Sequence, residues 1–209
     1  MENDKTKRRG AGRPKDDAED RRERLIEAAG PIFSAQGYGA TRIPDLAKAA
    51  GVTPAMVHYY FGGKDGLIKA VFDSAFTPLL DRLDDPSTLE EWVHTFHEHL
   101  IKHRWMPHLM IREVVMEGGF LRDYFSGNYA PRIMAKWLNI FAGEKAAGRM
   151  RNDADDLRHT VLMMGMIVYP FVVAPLSDIL TDSPFGDEQM RAFREDAVRL
   201  FFGGVGAVA

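Results

Sequence analysis

Seven histidines and no cysteine define what the side chains of this 209-residue sequence can do chemically. Five of the histidines cluster: His94, His97, His99, His103 and His108. His99 and His103 are four residues apart, which on a helix puts two imidazoles on one face and suits a metal ion. No third ligand stands at a matching spacing. The plainer reading is of histidines at a polar edge or against a bound molecule. The lack of cysteine excludes disulfides, thiolate metal sites and a cysteine nucleophile, and fits a reducing compartment. A Gly-rich phosphate loop, a nucleophile motif and a paired-carboxylate signature are also missing. A metal-assisted hydrolase built on the histidines is therefore the one enzyme reading left open, and no cofactor is expected.

A second concentration of chemistry lies in GVTPAMVHYYFGGKDGL, residues 51–67. His58, Tyr59 and Tyr60 crowd a helix barely two turns long, more polar aromatic tips than a core can satisfy. Tyrosine hydroxyls can donate to phosphate oxygens, which fixes register on a duplex without reading sequence. Ala55 and Met56 can touch thymine methyl groups, and His58 can bond base edges. Lys64 opens the next helix, where its charge opposes the macrodipole. With the helix-end N–H groups it would make a phosphate clamp. The bland alternative is a helical corner with solvated charges.

Charge is distributed in the same sense. The net charge is −3, but residues 5–15 (KTKRRGAGRPK) hold six Lys/Arg and no acid. Residues 1–66 hold 12 Lys/Arg against 10 Asp/Glu, net +2, and the remainder 15 against 20, net −5. The N-terminal third is the basic end.

The elements that must position these groups read as helices throughout. Residues 1–18 have no apolar period and read as a mobile basic arm. Leu25, Ile26, Ala29, Ile32 and Phe33 mark a helix from about 20 to 36, ended by Gly37 and open to a kink at Pro31. Thr41 reads as the N-cap of a short helix over 42–50, with Pro44 in its first turn. Gly51 ends it, and Thr53-Pro54 begins the next, to about Tyr60. Two short helices joined at Gly51 and braced by the first make a helix-turn-helix, with Val57 turned inward onto Ile43, Leu46 and Ala50. After Gly62-Gly63 a longer helix carries Leu67, Ile68, Val71, Phe72, Ala75 and Phe76. Further helices are expected along Leu89, Trp92, Val93, Phe96 and Leu100, with Ser87 as cap, and over 107–117, 129–147, 154–180 and 187–202. No segment alternates with period two, so the chain is all-α.

In the second half, Val161–Leu176 is uncharged and apolar on all sides. It falls short of the ~18 residues of a membrane span and contains two prolines. It is expected to be a buried helix rather than a membrane helix. The N-terminus is charged with no apolar run behind it, so no signal peptide is expected. The last helix carries its own stripe of Met190, Phe193, Ala197, Leu200 and Phe201. Methionine and aromatic residues are dense between 92 and 166. His99, His103, Met110, Met134, Trp137, Phe141, Met163 and Met166 are the candidates to line a pocket for an apolar molecule, or else simply form the core.

The segments FSAQGYGAT, LAKAAGV and YYFGGKDGL, in this order within residues 20–72, resemble the DNA-binding domain of the TetR family of bacterial transcriptional repressors. The resemblance implies a helix-turn-helix DNA-binding domain at 19–66 and a helical ligand-binding and dimerisation domain at 67–209. It places Arg42 and Thr53 at phosphate-contacting helix starts and Pro54, Ala55 and His58 at base-facing positions. Tyr59, Tyr60 and Lys64 take backbone-contacting positions. His58, Gly62, Met56 and Pro44 depart from the residues most members carry there, which bears on the operator read rather than on the fold. The family also implies a four-helix homodimer interface, a pseudo-palindromic duplex operator and release by a small inducer. A cytoplasmic, nucleoid-associated location follows. AGRPK at 11–15 resembles half of an AT-hook, so Arg8, Arg9, Arg13 and Lys15 either enter an adjacent minor groove or form a solvated basic tail. An architectural DNA-binding protein without an inducer is the remaining alternative.

Overall fold

Leu25, Ala29 and Phe33, spaced by four, are fully buried along one side of the first helix, and the rest of the molecule is assembled from that stripe outward. A computed structural model describes residues 16–83, 88–181 and 184–205. Its helices are α1 (Asp16–Gln36), α2 (Ile43–Ala49), α3 (Pro54–Phe61), α4 (Lys64–Arg82), α5 (Leu89–Lys102), α6 (Met106–Met110), α7 (Arg122–Asn128), α8 (Ala130–Ala146), α9 (Asp156–Leu180) and α10 (Asp187–Val205). A π-helical turn, Ile111–Val115, continues α6. Among the described residues there is no strand.

α1 packs on α2 and along α4, and α3 packs on both α2 and α4. Leu46, Ala47, Ala50 and Val57 close this N-terminal unit over α1. α4 then carries the same core onward: Leu67, Ile68, Val71, Phe72 and Ala75 are fully buried. Phe72 and Phe76 stack at 4.1 Å and meet Phe125 and Tyr129 edge-on. α5 lies at the centre of the C-terminal helices, against α4, α8, α9 and α10.

Several local expectations change. α1 runs unbroken through Pro31 and begins earlier than the apolar period suggested. Thr41 does not cap α2: its hydroxyl donates to the Gly37 carbonyl at 2.7 Å, and Arg42 is the extended N-cap residue. The cap of α5 is Thr88. Its side chain accepts from Glu91 N while the Glu91 carboxylate accepts from Thr88 N, a reciprocal capping box. Ser87 lies outside the described residues. The helix expected over 107–117 is one α turn followed by the π turn, and α7, seven mostly polar residues, had no periodic signal.

The largest correction concerns α9. It was expected to be buried, yet only 22% of the apolar stretch Asp156–Ser177 is covered, and by length and composition that stretch could cross a membrane. Met163, Ile167 and Phe171 face the core. Leu157, Val161, Tyr169, Leu176 and Ile179 follow one another at three- to eight-residue steps on the opposite side and are exposed, Ile179 by 78%. The composition is apolar all round because two different surfaces are apolar, and one chain covers only one of them.

Candidate nucleic-acid interface

α3 is short because both of its ends are specified locally. Thr53 is extended (φ −90°, ψ 151°) and Pro54 supplies the first helical φ, where its missing N–H costs nothing. Gly62 ends the helix in the left-handed conformation, φ 73°, and its N–H donates to the His58 carbonyl at 2.9 Å, a cap that favours glycine. Gly51, φ 66°, makes the turn from α2. Gly66 is forced by proximity, since a Cβ there would stand 1.8 Å from the Phe61 carbonyl oxygen.

Between these ends Val57 is the only buried residue of α3. Pro54, Ala55, His58 and Tyr59 are exposed, as are Thr53 and Arg42 at the two helix starts. Tyr59 is 82% exposed, an extreme for an aromatic ring. Tyr60 is half-buried against Phe61 and meets Tyr59 edge-on at 5.0 Å. Met56 is half-buried as well. Of the eight residues predicted to meet DNA, six are therefore exposed on the helix-turn-helix, and Tyr60 and Lys64 are half-buried. The arm residues Arg8, Arg9, Arg13 and Lys15 lie outside the described residues.

Lys64 is the eighth, and its setting differs. Its ammonium donates to the carbonyls of Tyr38 at 2.7 Å and Thr41 at 3.0 Å, and sits 4.2 Å from the Tyr38 ring centroid. These acceptors explain a cation at the N-terminus of α4 against the macrodipole. One of its three N–H donors remains for a phosphate. Tyr38 in turn donates to the adjacent Asp65 carboxylate. Burial and that carboxylate push the phenol up to about 12, so it stays a donor.

The eight candidate ligand residues sit in different surroundings. Trp137 stacks on Phe141 at 5.5 Å and lies 4.2 Å from Trp92, tilted by 49°, inside the C-terminal core. Met163 is fully buried on α9, whereas Met134 is 47% exposed on the outer side of α8. Met110 and Met166 are half-buried. Helical spacing placed these residues on apolar faces but could not say which faces share a space. His99 is buried, and its ring lies 4.4 Å from that of His103. Burial lowers both; the drop takes His99 to about 4, with the neighbouring His103 contributing. His97 is also held down at about 4, by burial first and the Arg194 charge second. Among the described residues neither ring nitrogen of His97 has a hydrogen-bond partner of full geometry, although the nearby Met190 backbone favours the charged ring slightly. His99 Nε2 and the Trp92 indole N–H are likewise unpartnered. Among the described residues no three His, Cys, Asp or Glu side chains converge as a metal site. Sequence reasoning missed a groove of about 550 Å³ where α1, α6 and α9 meet. It is lined by Trp105, His108 and Arg112 among others, and by none of the eight candidates.

A two-helix turn with one buried valine and an outward aromatic face, braced by α1 and α4, defines a helix-turn-helix protein. Residues 25–71 match the family described as bacterial regulatory proteins, tetR family. The similarity to that family covers residues 25–71. It is 39% identical over 131 residues to the HTH-type transcriptional regulator BetI of Rhizobium meliloti (strain 1021), a match covering 63% of this chain and 55% of that one. It is 38% identical over 77 residues to the HTH-type transcriptional regulator SrpR of Pseudomonas putida, covering 36% of each. The chain thus spans less than two thirds of either relative. The solved fatty acid degradation regulator FadR from Bacillus halodurans shares the fold, with a TM-score of 0.68 at 16% identity over 93% of this chain and 98% of that one.

Proposed function

We propose that the protein is a homodimeric, sequence-specific repressor of transcription that a small, largely apolar ligand releases from its operator. The observation that carries this reading is the face of α3: Pro54, Ala55, His58 and Tyr59 all exposed on a helix whose one buried residue is Val57. In a major groove the small Ala55 and the imidazole of His58 meet base edges. Tyr59, Tyr60, Thr53 and Arg42 meet phosphates and fix register, with the remaining donor of Lys64. The basic segment containing Arg8, Arg9, Arg13 and Lys15 adds a salt-dependent attraction.

The exposed stripe on α9, with Leu200 of α10 at 70% exposure, is the surface that a second copy would cover. Gly165 lies on that stripe, and a Cβ there would meet nothing within 4 Å, so a partner helix can approach closely. A twofold dimer presents two α3 helices to two half-sites of a pseudo-palindrome. Covering the stripe with protein also supports a cytoplasmic, nucleoid-associated molecule rather than a membrane-inserted one. The unpartnered polar atoms on α5 support a ligand site in the C-terminal helices, where an apolar molecule with one neutral polar group would satisfy them. α4 is in place to transmit occupancy, since it packs on α5 at one end and begins beside α3 at the other.

The test is binding of the full-length protein to the DNA upstream of its own gene, beside a shuffled duplex, over a salt series. Preference of about 10³-fold or more, saturating at two chains per site, is expected. Equal affinity for both duplexes with a steep salt slope would instead make it an architectural DNA-binding protein.

A further inference from the structure

The loop that feeds α2 is held from two sides. Lys64 takes the carbonyl of Tyr38. The N–H of the same residue donates to Glu113 Oε1 at 2.8 Å, from the π turn that follows α6. Glu113 is 5% exposed, and its other oxygen accepts from Phe120 N at 3.2 Å. Its neighbour Arg112 donates from Nη1 to the last carbonyls of α1, Ser34 at 3.2 Å and Ala35 at 2.7 Å. The Tyr38 ring stacks on Phe120 at 3.8 Å, interplanar 12°, so it lies against both Phe120 and the Lys64 ammonium. Both chains are thinned to let this happen. A Cβ on Gly37, already at φ 82°, would come within 2.9 Å of Arg112 Cδ, and one on Gly119 within 2.4 Å of the Glu113 carbonyl oxygen.

A buried carboxylate is costly to desolvate, and two backbone N–H groups are the charge-assisted partners that offset it. Helical stability does not ask for that arrangement. The π turn widens the helix by one residue and turns Arg112 and Glu113 together toward α1 and its loop, and such turns recur at functional sites. Behind it, α6 reaches α9 through His108 Nε2 and the Val172 carbonyl, 3.2 Å apart. A continuous set of contacts therefore runs from the C-terminal helices to the backbone of the α1–α2 loop without passing through α4.

We propose that Arg112 and Glu113 are positioning residues for the DNA-reading helices, tying the α1–α2 loop, and through it α2 and α3, to the C-terminal helices. The proposal rests on the reading of α3 as the helix that meets DNA. It assigns to the π turn a second route, beside α4, by which changes among α5, α6 and α9 reach α3.

The test uses the full-length chain with Glu113→Gln, which keeps one acceptor oxygen but sets an amide against an N–H, and Arg112→Ala, whose side chain is exposed and tolerates truncation. Amide hydrogen exchange is read first, because it needs no DNA. In Glu113→Gln, amides over 37–50 are expected to exchange about tenfold faster or more, with α8 and α9 within about twofold of the parent. Arg112→Ala is expected to show the same pattern at smaller amplitude. On the duplex the parent prefers, Glu113→Gln loses about tenfold in affinity, while on the shuffled duplex it loses at most about twofold, because the phosphate contacts are intact. Unchanged exchange over 37–50 in both variants, or acceleration spread equally through α8 and α9, overturns the proposal. A parent protein that does not discriminate between the duplexes overturns the DNA reading instead, and the exchange pattern still decides whether the tether exists.

Discussion

Tyr59 and Lys64 share a helical corner and an expected role, yet their surroundings separate what each substitution does. Tyr59 meets Tyr60 edge-on and is largely solvated. Tyr59→Ala should leave the urea midpoint unchanged and weaken binding to specific and shuffled duplexes alike, by about fivefold for one lost hydroxyl–phosphate bond. Altering His58 should instead change which duplex is preferred. Lys64→Met strips a charged donor from the Tyr38 and Thr41 carbonyls and should lower stability by roughly 1–3 kcal/mol in urea unfolding, before DNA is added. The outward residues of α3 were legible in the sequence because their signals are local: Thr-Pro at one end, Gly-Gly at the other, one valine between. The setting of Lys64 was not, because its acceptors are 23 and 26 residues away. Glu113 was hidden for the same reason at longer range, with only Gly37 and Gly119 as faint marks of a close approach.

At the scale of elements, α5 holds two buried histidines that make the fold sensitive to acid. His97 and His99 sit near 4 in the folded chain against an ordinary 6.5. The folded state therefore refuses protons that the unfolded chain accepts, and the stability this represents is present above about pH 6.5 and lost as pH falls toward 4. Each histidine steepens that loss by at most roughly 1.4 kcal/mol per pH unit within the window. Urea titrations from pH 7 to 4.5 should show a shallower decline for His97→Leu than for the parent. An equal slope would mean that His97 stays protonatable in the folded chain. Periodicity located α5 well, through Leu89, Trp92, Phe96 and Leu100, but a histidine looks the same in sequence on a wet edge and in a dry core. The π turn and α7 were illegible outright, since a five- or seven-residue element has too few positions to establish a period.

For the whole molecule, the all-helical architecture was readable from apolar spacing and glycine punctuation. For α9 the sequence showed an apolar surface all round, but not which side one chain covers. Tyr169→Asp or Val161→Asp should give monomers in sedimentation and cost most of the affinity for a two-half-site duplex. Binding to a single half-site should barely change, because both residues are solvated within one chain. Dimers persisting in both variants would place the interface elsewhere. The three tryptophans divide unevenly across this architecture. Trp92 and Trp137 lie 4.2 Å apart in the C-terminal core. Trp105 instead rests on α1 at Gly30, where a Cβ would meet its ring at 2.7 Å, and its carbonyl accepts from the Ser34 hydroxyl at 2.9 Å. The chain consequently carries its own optical gauge. With the two core indoles replaced by phenylalanine, emission from Trp105 would follow the gap between α1 and α6, and hence every opening or closing of that joint, in unlabelled protein and in real time.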